Sequence, residues 1–281
     1  LEFGHHYIRF IRNNAPITDT AQGITAATQA NPVVVTYSGA DTYTPNDHIE
    51  ISGVLGMTEL NGRRFVITNT DTGTNALTLG NLDGTPVDGT SYSTYISGGT
   101  VGLVIEIASL YDEADLPRIK YTQSADVLYL VHPDYQPHKL SRTSHTSWTL
   151  TVMDNTLLID GPYFPINSTA TTLTPSSTTA SSMTVTASAV TGINGGDGFK
   201  TSDVGRLIRI KHSSTWGYVI VLAWVSTTEV TCKVVQTLGA TTATADWRLG
   251  LYSVTTGYPA EGKFYEDRLF FGCCPAHPTR F

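Results

Sequence analysis

His48-Ile49-Glu50-Ile51-Ser52, then Asn61-Gly62, then Arg64-Phe65-Val66-Ile67-Thr68: these three pieces decide the fold of the chain around them. In the first, apolar and polar residues alternate with period two, which puts Ile49 and Ile51 on one face of a strand. Phe65 and Ile67 share a face in the same way. Asn-Gly between two such runs is the strongest short-range hairpin signal. Outward from this centre, residues 33–36 are a β-branched run, residues 75–79 read as a short strand, and Gly98-Gly99-Thr100-Val101 closes the unit. Short strands broken by turns at near-regular spacing predict a small barrel or sandwich over residues 24–103.

The same logic extends to both ends. Tyr7-Ile8-Arg9-Phe10-Ile11-Arg12 sets Ile8 and Phe10 against Arg9, a half-buried strand, and Asn13-Asn14 makes the turn after it. Residues 125–131 are an apolar run punctuated by Asp126 and ended by His132-Pro133. Lys139-Leu140-Ser141-Arg142 and Trp148-Thr149-Leu150-Thr151-Val152 follow as strands. Residues 166–191 are rich in Ser, Thr and Ala, as a linker would be, but the alternation of Met183-Thr184-Val185-Thr186-Ala187 predicts an outer strand there. In residues 203–250, Ile208 and Ile210 oppose Arg209 and Lys211. Val230, Cys232 and Val234 share a face, which puts the Cys232 thiol in a core. Trp247-Arg248-Leu249 ends that unit and residues 264–271 begin a last strand pair. The one helix candidate lies in residues 104–120, where Ile105, Ile107, Ala108, Leu110 and Tyr111 precede an acidic patch and Leu116-Pro117.

Composition bounds the function. The 281 residues allow one large domain or two to three small ones. Charged residues make up 15% of the chain, against about 25% in ordinary soluble domains. Thr, Ser, Gly and Asn take their place, which suits pleated surfaces and turns. The net charge is −7, and the sequence shows no basic face of the kind that captures nucleic acid. An acidic wall suits transit of DNA better than its capture. Three cysteines, with Cys273 and Cys274 adjacent, argue against a disulfide framework and read as reduced, buried thiols. No signal peptide is visible, and the longest apolar run, residues 218–225, is too short to span a bilayer, so no stable membrane insertion is expected. The chain enters a strand pattern at once after Leu1-Glu2-Phe3 and stops at Thr279-Arg280-Phe281 just after another; both ends read as cut from something longer.

Motifs whose spacing would force a phosphate, zinc or nucleophile chemistry do not occur. His5-His6 offers two imidazoles, but adjacent strand residues point to opposite faces, so no metal site is expected there. Gly192-Ile193-Asn194-Gly195-Gly196-Asp197-Gly198 lacks the acidic series of a calcium loop and has no helix behind it, and reads as a flexible turn. Asp112, Glu113 and Asp115 read as a solvated face at a helix end, since glycosidase carboxylates usually come from separate elements. Asn167-Ser168-Thr169 fits a glycosylation sequon, which has no use in a chain read as non-secretory. No catalytic residue, cofactor or metal is expected.

Several segments resemble one known family. Tyr121-Thr122-Gln123-Ser124-Ala125-Asp126, running on to His132-Pro133, then Pro137-His138-Lys139-Leu140-Ser141-Arg142, then Trp148-Thr149-Leu150, resembles the framework motif of podovirus tail tubular protein B, the tail nozzle. Leu1-Glu2-Phe3-Gly4 with Tyr7-Ile8-Arg9-Phe10 is similar to the strand before that motif. Gly257-Tyr258-Pro259 and Phe264-Tyr265-Glu266-Asp267-Arg268-Leu269-Phe270-Phe271-Gly272 are similar to its continuation. Residues 24–103, above all Ile51-Ser52-Gly53-Val54-Leu55-Gly56-Met57-Thr58-Glu59-Leu60-Asn61-Gly62-Arg63, resemble the small β module named after the first catalytic cysteine half-domain of ubiquitin-activating enzymes. All three cysteines lie at 232 or later, which excludes a thioester role for this module.

The resemblance implies a mainly β chain: a propeller-like antiparallel framework interrupted by two small β-barrel or sandwich insertions. The division is 1–23 framework strands, 24–103 first insertion, 104–165 blade-like framework, 166–252 second insertion and 253–281 framework again. Gln123, Ser124, Asp126, His132, Pro133, Pro137, Arg142, Trp148 and Arg268 would carry the framework motif. Trp148, Tyr129 and Leu130 would be buried and matter for folding. Leu55 and Met57 are candidate contacts. The implied function is a structural, non-enzymatic subunit of a short phage tail in the virion. It would form a homo-oligomeric ring, commonly of six, for DNA passage and host contact, touching the tail adaptor, fibre proteins and the host envelope, with only transient, non-specific DNA contact. The alternatives are a glycan-binding or glycan-degrading tail protein, since fourteen Tyr and four Trp supply stacking surface, and a bacterial surface adhesin built from similar β modules.

Overall fold

In the computed structural model, residues 1–40, 43–153 and 162–279 are described. The terminal Arg280 and Phe281, part of the C-terminal segment read above, lie outside them, as do residues 154–161 of the 104–165 span. The chain is mainly β, with 50% of residues in strands and 4% in helix. It forms two compact units. The first comprises Leu1–Glu113 with Ser144–Trp148, and the second Ala114–Thr143 with Thr149–Phe281.

The first unit is built around a closed barrel in the order Ser97–Leu103, Gln22–Ala27, Val34–Ser38, Ala76–Gly80, Arg63–Asp71, His48–Leu55. Period-two alternation fills it. Val35 and Tyr37, Ile49 and Ile51, Phe65 and Ile67, and Leu77 and Leu79 all point inward and are buried. Closure removes the strand edges that would otherwise recruit other chains. The Asn61-Gly62 turn differs from the tight hairpin expected. The chain makes the short 3-10 turn Thr58–Leu60 first, and Asn61 stays extended at φ −70 while Gly62 takes φ +68. Asn61 instead ties the loop down with its side chain, accepting from Val54 N–H and donating to Val54 C=O, both at 2.8 Å. Met57 and Leu60 from this loop are fully buried in the barrel core.

Beside the barrel sequence lies a three-stranded sheet in the order Glu2–Gly4, Tyr7–Arg9, Glu106–Ala108. Here the half-buried reading of residues 7–12 needs correction, because Arg9 is as buried as Ile8 and Phe10. Its cross-strand neighbours are Glu2 on one side and Glu106 on the other. The guanidinium reaches them at 2.9 and 2.8 Å. A charge can be buried when it is paired this completely. The strand breaks at Phe10, and Asn13 and Asn14, both at positive φ, turn Ile11–Arg12 back onto Ala15–Pro16. The helix expected in 104–120 does not form: residues 106–108 pair as a strand and only the 3-10 turn Leu116–Arg118 follows. Ile105 and Ile107 fit period two as well as period 3.6, and a run this short cannot separate them.

The second unit holds a four-stranded antiparallel sheet, Lys120–Ser124, Val127–His132, Tyr135–Arg142 and, from Thr149 on, Trp148–Val152, in sequence order as in a propeller blade. It also holds a six-stranded sheet, ordered Leu173–Pro175, Met183–Ala187, Glu229–Gln236, Thr215–Ser226, Leu207–His212, Trp247–Leu249, which curls into a half-barrel. Three register shifts between Thr215–Ser226 and Glu229–Gln236 accompany the curl, as bulges do. Met183, Val185, Ile208, Ile210, Val219, Val221, Val230 and Cys232 face its core. Met183–Ala187 is an interior strand and not the outer one expected, because Leu173–Pro175 covers its other edge. Burial pushes the Cys232 thiol up to about 12, so it stays protonated. Cys274 is buried too, but Cys273, expected buried beside it, is only half-buried. A last hairpin pairs Glu261–Tyr265 with Arg268–Gly272 through Glu266 and Asp267, both at positive φ.

Candidate functional site

The framework-motif residues of the second unit divide between the two ends of the strand Val127–His132. At one end Ala125-Asp126 forms a two-residue turn with Ala125 at φ +50. Gln123 Nε2 donates to the Ala125 carbonyl at 2.9 Å. Arg142 N–H donates to the Asp126 carbonyl at 3.0 Å, and its Nε lies 3.7 Å from Asp126 Oδ1. Gln123, Ser124, Asp126 and Arg142 are exposed, so this end shapes a turn in water and its ion pair contributes about 0–1 kcal/mol.

The other end is buried and more tightly bonded. His132 is fully buried, and its Nδ1 accepts the Asp134 N–H at 3.1 Å. The ring proton therefore sits on Nε2, 3.8 Å from Asp115 Oδ1. Asp115 Oδ2 accepts the Tyr135 hydroxyl at 2.7 Å, and Asp134 Oδ2 accepts Arg118 Nη1 at 2.6 Å. Burial, and then the nearby Arg118, lower the His132 pKa; Asp115 and Asp134 oppose this without reversing it. The imidazole is neutral at pH 7. Asp115, His132 and Asp134 bring three ligand atoms within 4.8 Å of one another. Their atoms are already bonded to Tyr135, the Asp134 amide and Arg118, and a guanidinium stands where a cation would be repelled. The set works as a clasp that fixes the turn Leu116–Arg118 to the hairpin.

The downstream segments meet the same end. The Pro133 carbonyl accepts the Tyr258 N–H at 2.7 Å. Gly257 sits at φ +87, and a Cβ there would come within 3.1 Å of the Pro133 oxygen and 2.7 Å of Pro275 Cδ. Phe264 meets Tyr129 edge-on at 5.5 Å. Pro137 is buried and its carbonyl accepts the Met153 N–H at 2.7 Å. Arg268 is exposed just after the Glu266-Asp267 turn. Trp148, in the first unit, stacks on Phe10 with centroids 4.0 Å apart and donates Nε1–H to the His145 carbonyl at 2.8 Å. Of the three framework residues expected buried, Leu130 is, whereas Tyr129 and Trp148 are half-buried.

Four other expectations change. Met57, expected as a contact, is a core residue of the barrel, because the 3-10 turn folds it inward; Leu55 is 58% exposed. His5 and His6 are the two turn residues between Glu2–Gly4 and Tyr7–Arg9, not strand neighbours, so their rings do not diverge. They lie 4.2 Å apart, and His5 Nδ1 is 2.6 Å from Asp112 Oδ1. All three are exposed. Asp112 is thus paired with an imidazole and Asp115 with a phenol, and with no helix the solvated helix face does not exist. The turn around Gly192–Gly198 is pinned rather than flexible.

That turn borders a cavity of about 230 Å³ lined by Phe164, Asn167, Gly195, Arg206 and Trp247 among others. Asn194 Nδ2 donates to Gly198 O and to Asp203 Oδ2, at 2.9 and 2.7 Å. Arg206 and Asp203 are both 1% exposed and form an ion pair at 2.8 Å. Arg206 also donates to Asn194 Oδ1 and the Gly250 carbonyl, each at 2.7 Å. Asp203 Oδ1 further accepts Thr255 Oγ1 at 2.8 Å. Asn167 Nδ2 donates to three backbone carbonyls, so the sequon asparagine is occupied in holding its own loop. Reading the sequence missed this buried pair, since Asp203 and Arg206 precede a strand in a stretch that reads as an ordinary polar turn. In comparison with known proteins, no family model and no curated protein matches the chain.

Proposed function

We propose that this protein is a structural subunit of a short-tailed phage tail, of the nozzle kind, and that it acts without catalysis. The observation that carries the reading is the meeting, at one hairpin end, of two segments that resemble the nozzle framework: His132 and Pro133 with Gly257 and Tyr258. In this reading identical subunits form a rigid ring, six being the expected number, through which DNA passes. A chain of net charge −7 offers phosphate no general hold. Rigidity would come from closed and fully bonded β units. Contacts with adaptor, fibres and host envelope would fall to exposed barrel residues, of which Leu55 and Ile96, 58% and 73% exposed, are joined by a backbone hydrogen bond at 2.9 Å. No helix among the described residues is long and apolar enough to cross a membrane.

Size-exclusion with light scattering, followed by electron microscopy of the full-length protein with its tail partners, tests this. Rings of fixed subunit number are the expected result. Monomers alone, at every concentration and with every partner, would overturn the assignment.

A further inference from the structure

The face of the six-stranded sheet opposite its core gathers positive charge that the sequence pattern does not advertise. Arg209 stands directly across from Arg248 in the strand register, and Lys211 directly across from Trp216. Three cations surround one indole: Arg209 Cζ at 5.1 Å, Arg248 Cζ at 5.5 Å and Lys211 Nζ at 5.8 Å from the Trp216 ring centre. Arg209 also lies 5.6 Å from the Tyr163 ring. Among the described residues, none of the three is in an ion pair with a carboxylate. The Nε atoms of Arg209 and Arg248 are buried with no hydrogen-bond partner among the described residues.

Like charges directly opposite in a sheet repel, and the indole compensates only in part. Elsewhere this chain answers a strand arginine with carboxylates on both neighbouring strands, as Glu2 and Glu106 do for Arg9. Here the described residues supply none, although acidic residues outnumber basic ones in the sequence, 24 to 17. We propose that this face binds an acidic saccharide, through a phosphate or carboxylate group seated between Arg209, Arg248 and Lys211. Guanidinium groups match the paired oxygens of such anions. Trp216, half-buried, supplies aromatic surface beside the anion for the sugar ring, while the buried Tyr163 backs Arg209 from the other side. The cations converge on one ring rather than tracking a line, and the negative chain around them repels a polyanion, which favours a compact anion over nucleic acid. The site does not depend on the tail assignment, and either can fail alone.

NMR of the whole protein tests it through the Trp216 indole N–H signal, assigned with Trp216→Phe. The probes are glucose 1-phosphate, glucuronate, glucose, inorganic phosphate and a short DNA duplex, at constant ionic strength. A saturable shift with glucose 1-phosphate or glucuronate, absent with glucose, is expected. Arg209→Gln and Arg248→Gln should each weaken it about tenfold, as loss of a charged hydrogen bond does. Both variants should melt no lower than the parent, because each removes a like-charge contact. No shift with either acidic sugar, an equal response to inorganic phosphate alone, tighter binding of the duplex, or undiminished binding in both variants would each overturn the proposal.

Discussion

Arg206 and Asp203 are the residues whose single loss should cost most. Each is 1% exposed, and each is bonded by the other. Arg206→Leu would strand the Asp203 carboxylate and is expected to destabilise by about 3–5 kcal/mol, read by urea unfolding. Replacing both by apolar residues should recover much of that loss, because no lone buried charge remains. His132 and His138 make a second residue-scale prediction. Burial lowers both pKa values below the ordinary 6.5, with Arg118 adding to the effect at His132. The unfolded chain then binds protons that the folded chain refuses. Their contribution to stability is complete above about pH 6.5 and falls as pH drops toward the folded values. Melting temperature should therefore decline on going from pH 7 to pH 5 by these groups, and His138→Leu should flatten that decline. A flat profile in the parent would contradict the burial of neutral imidazoles.

At the scale of elements, the barrel loop separates two neighbours that sequence alone treats as equals. Met57→Ala should cost about 2–5 kcal/mol, whereas Leu55→Ala should change stability by no more than about 0.5 kcal/mol, both by denaturant melts. The hairpin turn Glu266-Asp267 places both residues at positive φ, 47 and 59. Replacing the pair by Asn-Gly should stabilise the protein by about 0.5–1 kcal/mol. The central barrel strands were legible because they carry a clean alternation, as in Ile49 and Ile51 or Phe65 and Ile67, whereas Gln22–Ala27, with a single buried residue at Ile24, carries none and went unread. The segment 104–120 was not, because a few apolar residues fit either period and the partner that settles it, Tyr7–Arg9, lies far away in sequence. The Asn61-Gly62 signal marked a turn correctly, but the 3-10 turn before it lengthened the loop and hid Met57. Charge partners were the least legible feature. Arg9 finds Glu106 across 97 residues, and Arg209, Trp216 and Arg248 meet only when three strands align.

For the whole molecule, the mainly β architecture and its barrel followed from alternation and from the scarcity of long charged side chains. The division of Gln123, Ser124, Asp126 and Arg142 into an exposed turn, and of His132 and Pro133 into a buried clasp, was not legible in the sequence. His132 and Asp115 stand 3.8 Å apart because the turn that carries Asp115 folds against the end of the strand Val127–His132, which sequence spacing does not encode. The acidic balance of the chain also concealed a local basic face, since net charge averages over surfaces that a ligand meets one at a time. The tail assignment is a claim about where the protein resides. Immunogold electron microscopy with antibodies against the barrel, Gln22 to Leu103, on purified particles of the phage that the proposal requires measures that directly. Gold at the distal end of the short tail is the predicted result. Unlabelled particles, with the protein recovered only from the soluble fraction of infected cells, would contradict it.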